Sequence, residues 1–93
     1  MSRFTTRVEL HKPEPGDYTL LHEAMKEEGF SRFIISSEGA KKRLPTAEYN
    51  REGDLTIEQV FDSAERAATS TNKKFAILVT QSYRRRFTGL QSV

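Results

Sequence analysis

FSRFIISSEGAKKRLPTAEY, residues 30–49, is the stretch from which the rest of the chain is read. It opens behind Gly29, a natural helix stop. Phe30 to Ser36 is rich in β-branched and aromatic residues and reads as a strand. Glu38-Gly39 supplies a turn, because glycine can take the positive φ of a tight hairpin. Leu44 to Tyr49 then reads as the returning strand, beginning at or after Pro45, which cannot donate to a ladder. A helical pattern lies on either side of this hairpin, and a strand-like pattern lies outside each helix. The predicted order is β-α-β-β-α-β: an α+β, ferredoxin-like fold with a four-stranded antiparallel sheet and two helices on one face.

Working outward, Phe4, Thr6, Val8 and Leu10 alternate with Thr5, Arg7 and Glu9, as in a strand buried on one face. Two prolines, Pro13 and Pro15, break it. Asp17 is the expected N-cap of the first helix. Tyr18, Leu21 and Met25 form its inward stripe, widened by Leu20 and Ala24, with His22 on the flank. Thr56 and Gln59 have the spacing of a capping box. Ile57, Val60, Phe61, Ala64, Ala67, Ala68 and Thr71 then share one face of the second helix. In the last strand, Lys74–Ser82, Phe75, Ile77 and Val79 are expected inward. Leu78 is expected beside Ile34 on the face that the helices leave bare, a place for a protein contact.

Composition narrows the chemistry. Ninety-three residues make a single domain over 1–93, with 83–93 as a basic tail. The absence of cysteine excludes disulfides and thiolate metal sites. Neither an apolar leader nor a run long enough to span a bilayer is present, so the expectation is a cytoplasmic protein with no membrane role. Lys and Arg total 15 against 13 Asp and Glu, but Arg84, Arg85 and Arg86 are contiguous. Without them the balance is near neutral, so any attraction to nucleic acid is local.

Two basic clusters carry that attraction. Lys41-Lys42-Arg43 follows the hairpin turn, and the run Arg84-Arg85-Arg86, flanked by Tyr83 and Phe87, has an aromatic interleaving that suits stacking on single-stranded RNA. A solvated tail, or one ordered against a partner subunit, is the plainer reading of the second cluster. His11 and His22 lack metal-ligand spacing, and Glu9 alone could offer a carboxylate to magnesium; no metal and no cofactor are expected. RNA cleavage needs a base for the 2′-hydroxyl, an acid for the leaving 5′-oxygen and cations for the phosphorane. His22 titrates in the right range, and Arg32 can hold phosphate. The plainer reading of His22 is a rim residue between core and water. No nucleophile elbow, phosphate-cradling loop or dinucleotide fingerprint is present.

The entry Met25…Gly29-Phe30-Ser31, the turn at Gly39, Leu44-Pro45, the helix opening at Thr56 and the strand Ile77-Leu78-Val79-Thr80 resemble the GhoS-like family. That family comprises type V toxin–antitoxin antitoxins that act as endoribonucleases. The resemblance implies a ferredoxin-like domain similar to CRISPR-associated small nucleases, cleavage of toxin messenger RNA, and pairing as a homodimer through a sheet face or edge. It also implies site positions. A carboxylate that members can carry just after the first strand falls at His11 here, and a basic residue of the first helix is matched by His22. These departures make a lost activity on an intact fold an alternative. The rival expectation is a non-catalytic interaction or RNA-binding module.

Overall fold

In the computed structural model, which describes residues 1–93, seven elements follow one another. They are β1 (Ser2–Leu10), α1 (Asp17–Glu27), β2 (Phe33–Ile35), β3 (Lys41–Arg43), β4 (Glu48–Gly53), α2 (Ile57–Thr69) and β5 (Phe75–Gln81). They build a small α+β fold with one sheet of three strands, ordered β4-β1-β5, and one of two, β2-β3.

β1 sits at the centre because its alternation lets one face be buried while both edges are paired. Phe4, Thr6, Val8 and Leu10 are buried, whereas Arg7 and Glu9 are exposed. β4 and β5 flank it antiparallel, with Thr6 opposite both Tyr49 and Val79. Phe4 and Val8 join Leu21 and Met25 of α1 and Val60 and Ala64 of α2 in one core, so both helices lie on the same face of this sheet. The alanines of α2 let its backbone come close to the strands, and Ala67 and Ala68 are buried there. Phe61, expected on that face, is at its margin and partly exposed.

The helix ends show how local chemistry sets the elements. Thr56 Oγ1 accepts the Gln59 N–H at 3.1 Å, and Gln59 Oε1 accepts the Thr56 N–H at 2.9 Å, closing the capping box. α1 departs from expectation: its N-cap is Gly16, with φ 92°, and Asp17 is the first helical residue. Asp17 instead accepts the Glu14 N–H at 2.6 Å, tying down the proline-flanked turn. Leu20 is also a correction, since it points to solvent. Gly29 ends the helix in a left-handed conformation (φ 93°), with Phe30 N–H donating to Met25 C=O and Gly29 N–H to Lys26 C=O.

The stretch 30–49 folds differently from the two long paired strands expected. β2 pairs with Lys41–Arg43, and the residues between form the turn. Leu44–Ala47 is not strand. Pro45 has no N–H to give, and its carbonyl accepts the Glu48 N–H at 2.9 Å, so the chain turns there and joins β1 from Glu48 onward. One bridge, Ser31 to Asn50, links the hairpin region to the outer edge of β4, through two hydrogen bonds of 2.8 and 2.7 Å. The main sheet therefore has three strands and a bridge rather than four strands.

The face away from the helices is not bare along its whole width. The segment after β5 returns over β1 and β4: Ser82 N–H donates to Arg3 C=O, and Arg85 Nη1 donates to Asn50 Oδ1 at 2.6 Å and to Thr5 Oγ1 at 3.3 Å. It then runs beside β3, where Arg43 N–H donates to Gln91 C=O and Val93 N–H to Lys41 C=O. Ile34 is consequently buried, lining a cleft with Leu44, Phe87 and Leu90, and does not share an open patch with Leu78. Leu78 stays 64% exposed, and Ile35 is 65% exposed. No helix is long and apolar enough to cross a membrane.

Candidate functional site: a histidine cavity and an arginine strap

His22 follows Tyr18 by one helical turn and precedes the Leu21–Met25 stripe's end, which carries its ring over the edge of the core. Its Nδ1 lies 2.7 Å from the hydroxyl of Tyr49, a side chain only 1% exposed on β4. The two rings are tilted at a centroid distance of 5.6 Å, and Phe30 meets Tyr49 edge-on at 6.5 Å. His22, Lys26, Phe30, Arg32, Phe33 and Tyr49 line one cavity of about 310 Å³. Its walls combine these rings with the charges of Lys26 and Arg32, and Glu23 adds a carboxylate at the same wall.

The electrostatics follow from burial. Loss of hydration pulls His22 down to about 4, and the nearby Arg32 charge adds to the effect. Burial also pushes the Tyr49 phenol well above its ordinary value, so it keeps its proton. The imidazole is thus neutral near pH 7. In the tautomer whose Nδ1–H donates to Tyr49, Nε2 carries the free lone pair that a general base needs. Arg32 reaches the same cavity, and its Nε is buried without a hydrogen-bond partner.

Of the catalytic candidates, His22 and Arg32 are brought together and His11 is not. His11 is exposed at the end of β1, uses its backbone N–H on Lys74 C=O, and is absent from the cavity wall. Glu9 is engaged by Arg7 on the exposed sheet face, where Arg7 also holds Glu48 at 3.1 Å. No three His, Asp or Glu side chains converge where they could hold a metal ion.

The basic clusters divide the work. Arg85 is an anchor: burial lowers its affinity for its proton, with Arg3 adding to that, and its guanidinium is spent on Asn50 and Thr5. Arg84 and Arg86 remain exposed and, with Arg3, Ser36, Ser37 and Phe87, line a cleft of about 590 Å³. Tyr83 is 91% exposed. Lys41 and Arg43 sit over the Phe33 ring, 4.5 and 5.7 Å from its centroid, while Lys42 donates to Ser92 Oγ at 2.7 Å. Phe33 belongs both to this basic surface and to the His22 cavity.

Tyr49, Lys26, Phe33 and Arg3 were not singled out by sequence reasoning. The sequence offers Tyr49 only as the end of a hairpin strand; its place opposite Thr6 is what brings its hydroxyl to α1. No protein-family model matches the chain, and no curated protein matches it.

Proposed function

We propose that the chain is an RNA-directed, GhoS-like protein that cleaves single-stranded RNA without a metal. The observation that supports this most is the meeting of a neutral histidine and Arg32 at one cavity with aromatic walls. A nucleotide base stacks on the rings, while Arg32 and Lys26 hold the phosphate. His22 Nε2 takes the 2′-hydroxyl proton, the 2′-oxygen bonds to phosphorus, and the bond to the 5′-oxygen breaks. The resulting imidazolium, a strong acid given its low proton affinity, returns that proton to the leaving 5′-oxygen, and a 2′,3′-cyclic phosphate remains. Phe33 joins the cavity to the surface of Lys41 and Arg43, a path for the flanking strand.

The fold reading that accompanies this proposal is ferredoxin-like. What supports it is the order β5-β1-β4 with Ser31 bridged to the outer edge of β4, where a split βαβ fold would carry its second strand. Binding without cleavage is the second reading, favoured by two exposed groups of cations and rings, one at Tyr83, Arg84 and Arg86 and the other at Lys41 and Arg43 over Phe33.

The experiment is incubation of the purified protein with a mixed RNA pool, with and without EDTA. Cutting that survives EDTA and is lost in His22→Ala is the expected result. Undiminished cutting by that variant removes His22 from the mechanism. RNA retention without cutting, weakening steeply with salt, establishes the second reading.

A further inference from the structure

The two edges of the main sheet differ: the β4 edge is charged and bridged at Asn50, whereas the β5 edge is uncharged and unpaired. On the β4 side, the outward groups of Asn50 are taken by Ser31, and the hairpin lies beyond. On the β5 side nothing is paired. His11 N–H donates to Lys74 C=O and Ser82 N–H donates to Arg3 C=O, so the even-numbered residues of β5 direct their backbone groups to β1. The N–H and C=O of Phe75, Ile77, Val79 and Gln81 therefore point away from the sheet. The segment after β5 leaves over β1 and does not cover them.

Natural sheets protect such an edge with proline, charge or a bulge. Residues 75–81 (FAILVTQ) contain no proline and no charge, and they pair with β1 in unbroken register. Phe75, Ile77 and Val79 are only partly buried on the helix-side face, and Leu78 is exposed on the other. These features describe a strand lacking its neighbour.

We propose that the free edge of β5 pairs antiparallel with the same edge of a second copy, about a two-fold axis through Leu78. The register follows from which residues point outward. A two-fold at Leu78 sets Phe75 against Gln81 and Ile77 against Val79, so every outward residue meets another outward residue. About eight backbone hydrogen bonds form across the joint. An axis between two residues would set outward groups against inward ones, and an axis at Ile77 or Val79 would leave an end unmatched. At the centre, Leu78 faces Leu78 of the second copy in a non-hydrogen-bonded pair, the closer of the two spacings, about 4.5 Å between Cα atoms. The flanking Lys74 meets Ser82, so no like charges stand opposite each other. A second copy fits better than an unrelated peptide because the strand is its own complement in register, in polarity and in lack of charge. Each copy has one such edge, so assembly closes at two. The joined sheet has six strands with the helices of both copies on the same side. This inference is independent of the RNA reading.

Sedimentation equilibrium over low- to high-micromolar protein tests it, with amide hydrogen exchange alongside. The expected mass is twice that of the chain. The amides of Phe75, Ile77, Val79 and Gln81 should be protected when concentrated and should exchange on dilution, while those of Ala76, Leu78 and Thr80 stay protected throughout. Leu78→Lys sets two ammonium groups against each other and should raise the dissociation constant by about tenfold or more. Val79→Pro deletes an outward donor without removing a bond to β1 and is the second probe should the lysine variant misfold. A monomer at every concentration, a mass above two, or a dimer equally tight in Leu78→Lys and Val79→Pro with freely exchanging odd-numbered amides overturns the proposal.

Discussion

Acid should weaken this fold through His22 in a way that one substitution can isolate. The ring has a proton affinity of about 4 in the folded chain against 6.5 in the open one. Between those values the unfolded chain binds a proton that the folded chain refuses, so stability falls as pH falls. The contribution is intact above about pH 6.5, declines steadily below it, and levels off below about pH 4. At about pH 4.5 the full linkage would amount to roughly 2.6 kcal/mol. The ring is only partly shielded from water, so screening reduces the expected loss to roughly 1–2 kcal/mol. Urea unfolding at about pH 7.5 and about pH 4.5 measures it, with His22→Gln as the reference. Glutamine does not titrate but can still meet the Tyr49 hydroxyl, and the carboxylates common to both proteins cancel in the difference. Wild type should lose that extra 1–2 kcal/mol over the same interval. If both proteins lose stability in parallel, burial does not suppress the charge on His22, and the neutral-base chemistry proposed for the cavity goes with it.

Thr56→Ala removes one bond of the capping box and loosens the other, and should cost about 1 kcal/mol in thermal or urea unfolding. Gly29→Ala should cost roughly 1–2 kcal/mol from the positive φ; the new methyl would also approach Arg51 Cζ at 2.8 Å. Because that guanidinium can swing aside, adding Arg51→Ala should recover little, which a double-mutant comparison reads directly. Arg85→Ala leaves the carbonyl of Asn50 without its donor and should cost roughly 1–3 kcal/mol, with faster amide exchange confined mainly to residues after Ser82.

The parts of the fold that were legible in the sequence are those governed by near neighbours. The alternation in Phe4–Leu10, the capping box at Thr56 and the glycine stop at Gly29 each rest on interactions a few residues apart, and each appears as read. Asp17 failed as a cap because its carboxylate had a competing local partner in Glu14. The stretch 30–49 failed differently. Its composition suits a strand on both sides of Gly39, but where the chain crosses from hairpin to sheet is decided by Pro45 and by the edge of β1 that Glu48 onward joins. Ile34 looked bound for an open face, since nothing nearby announces that residues fifty positions later will cover it. The site divides along the same line. His22 and Arg32 were recognisable as side chains suited to the chemistry; their shared cavity, the Tyr49 partner and the use of Arg85 as an anchor depend on contacts between distant segments.

The central position of β1 has a kinetic consequence. Its partners are residues 48–53 and 75–81, so Phe4 waits for Gln81 before its strand has both neighbours. Contacts so remote in sequence must meet a loop-closure cost before they repay any of it. α2 can flicker into shape on its own, whereas the nine residues of β1 gain nothing lasting until β4 and β5 are beside them. Refolding should accordingly be slower than in a helical bundle of equal length, and its slow step should respond to changes in β1 and β5 far more than to changes at Thr56.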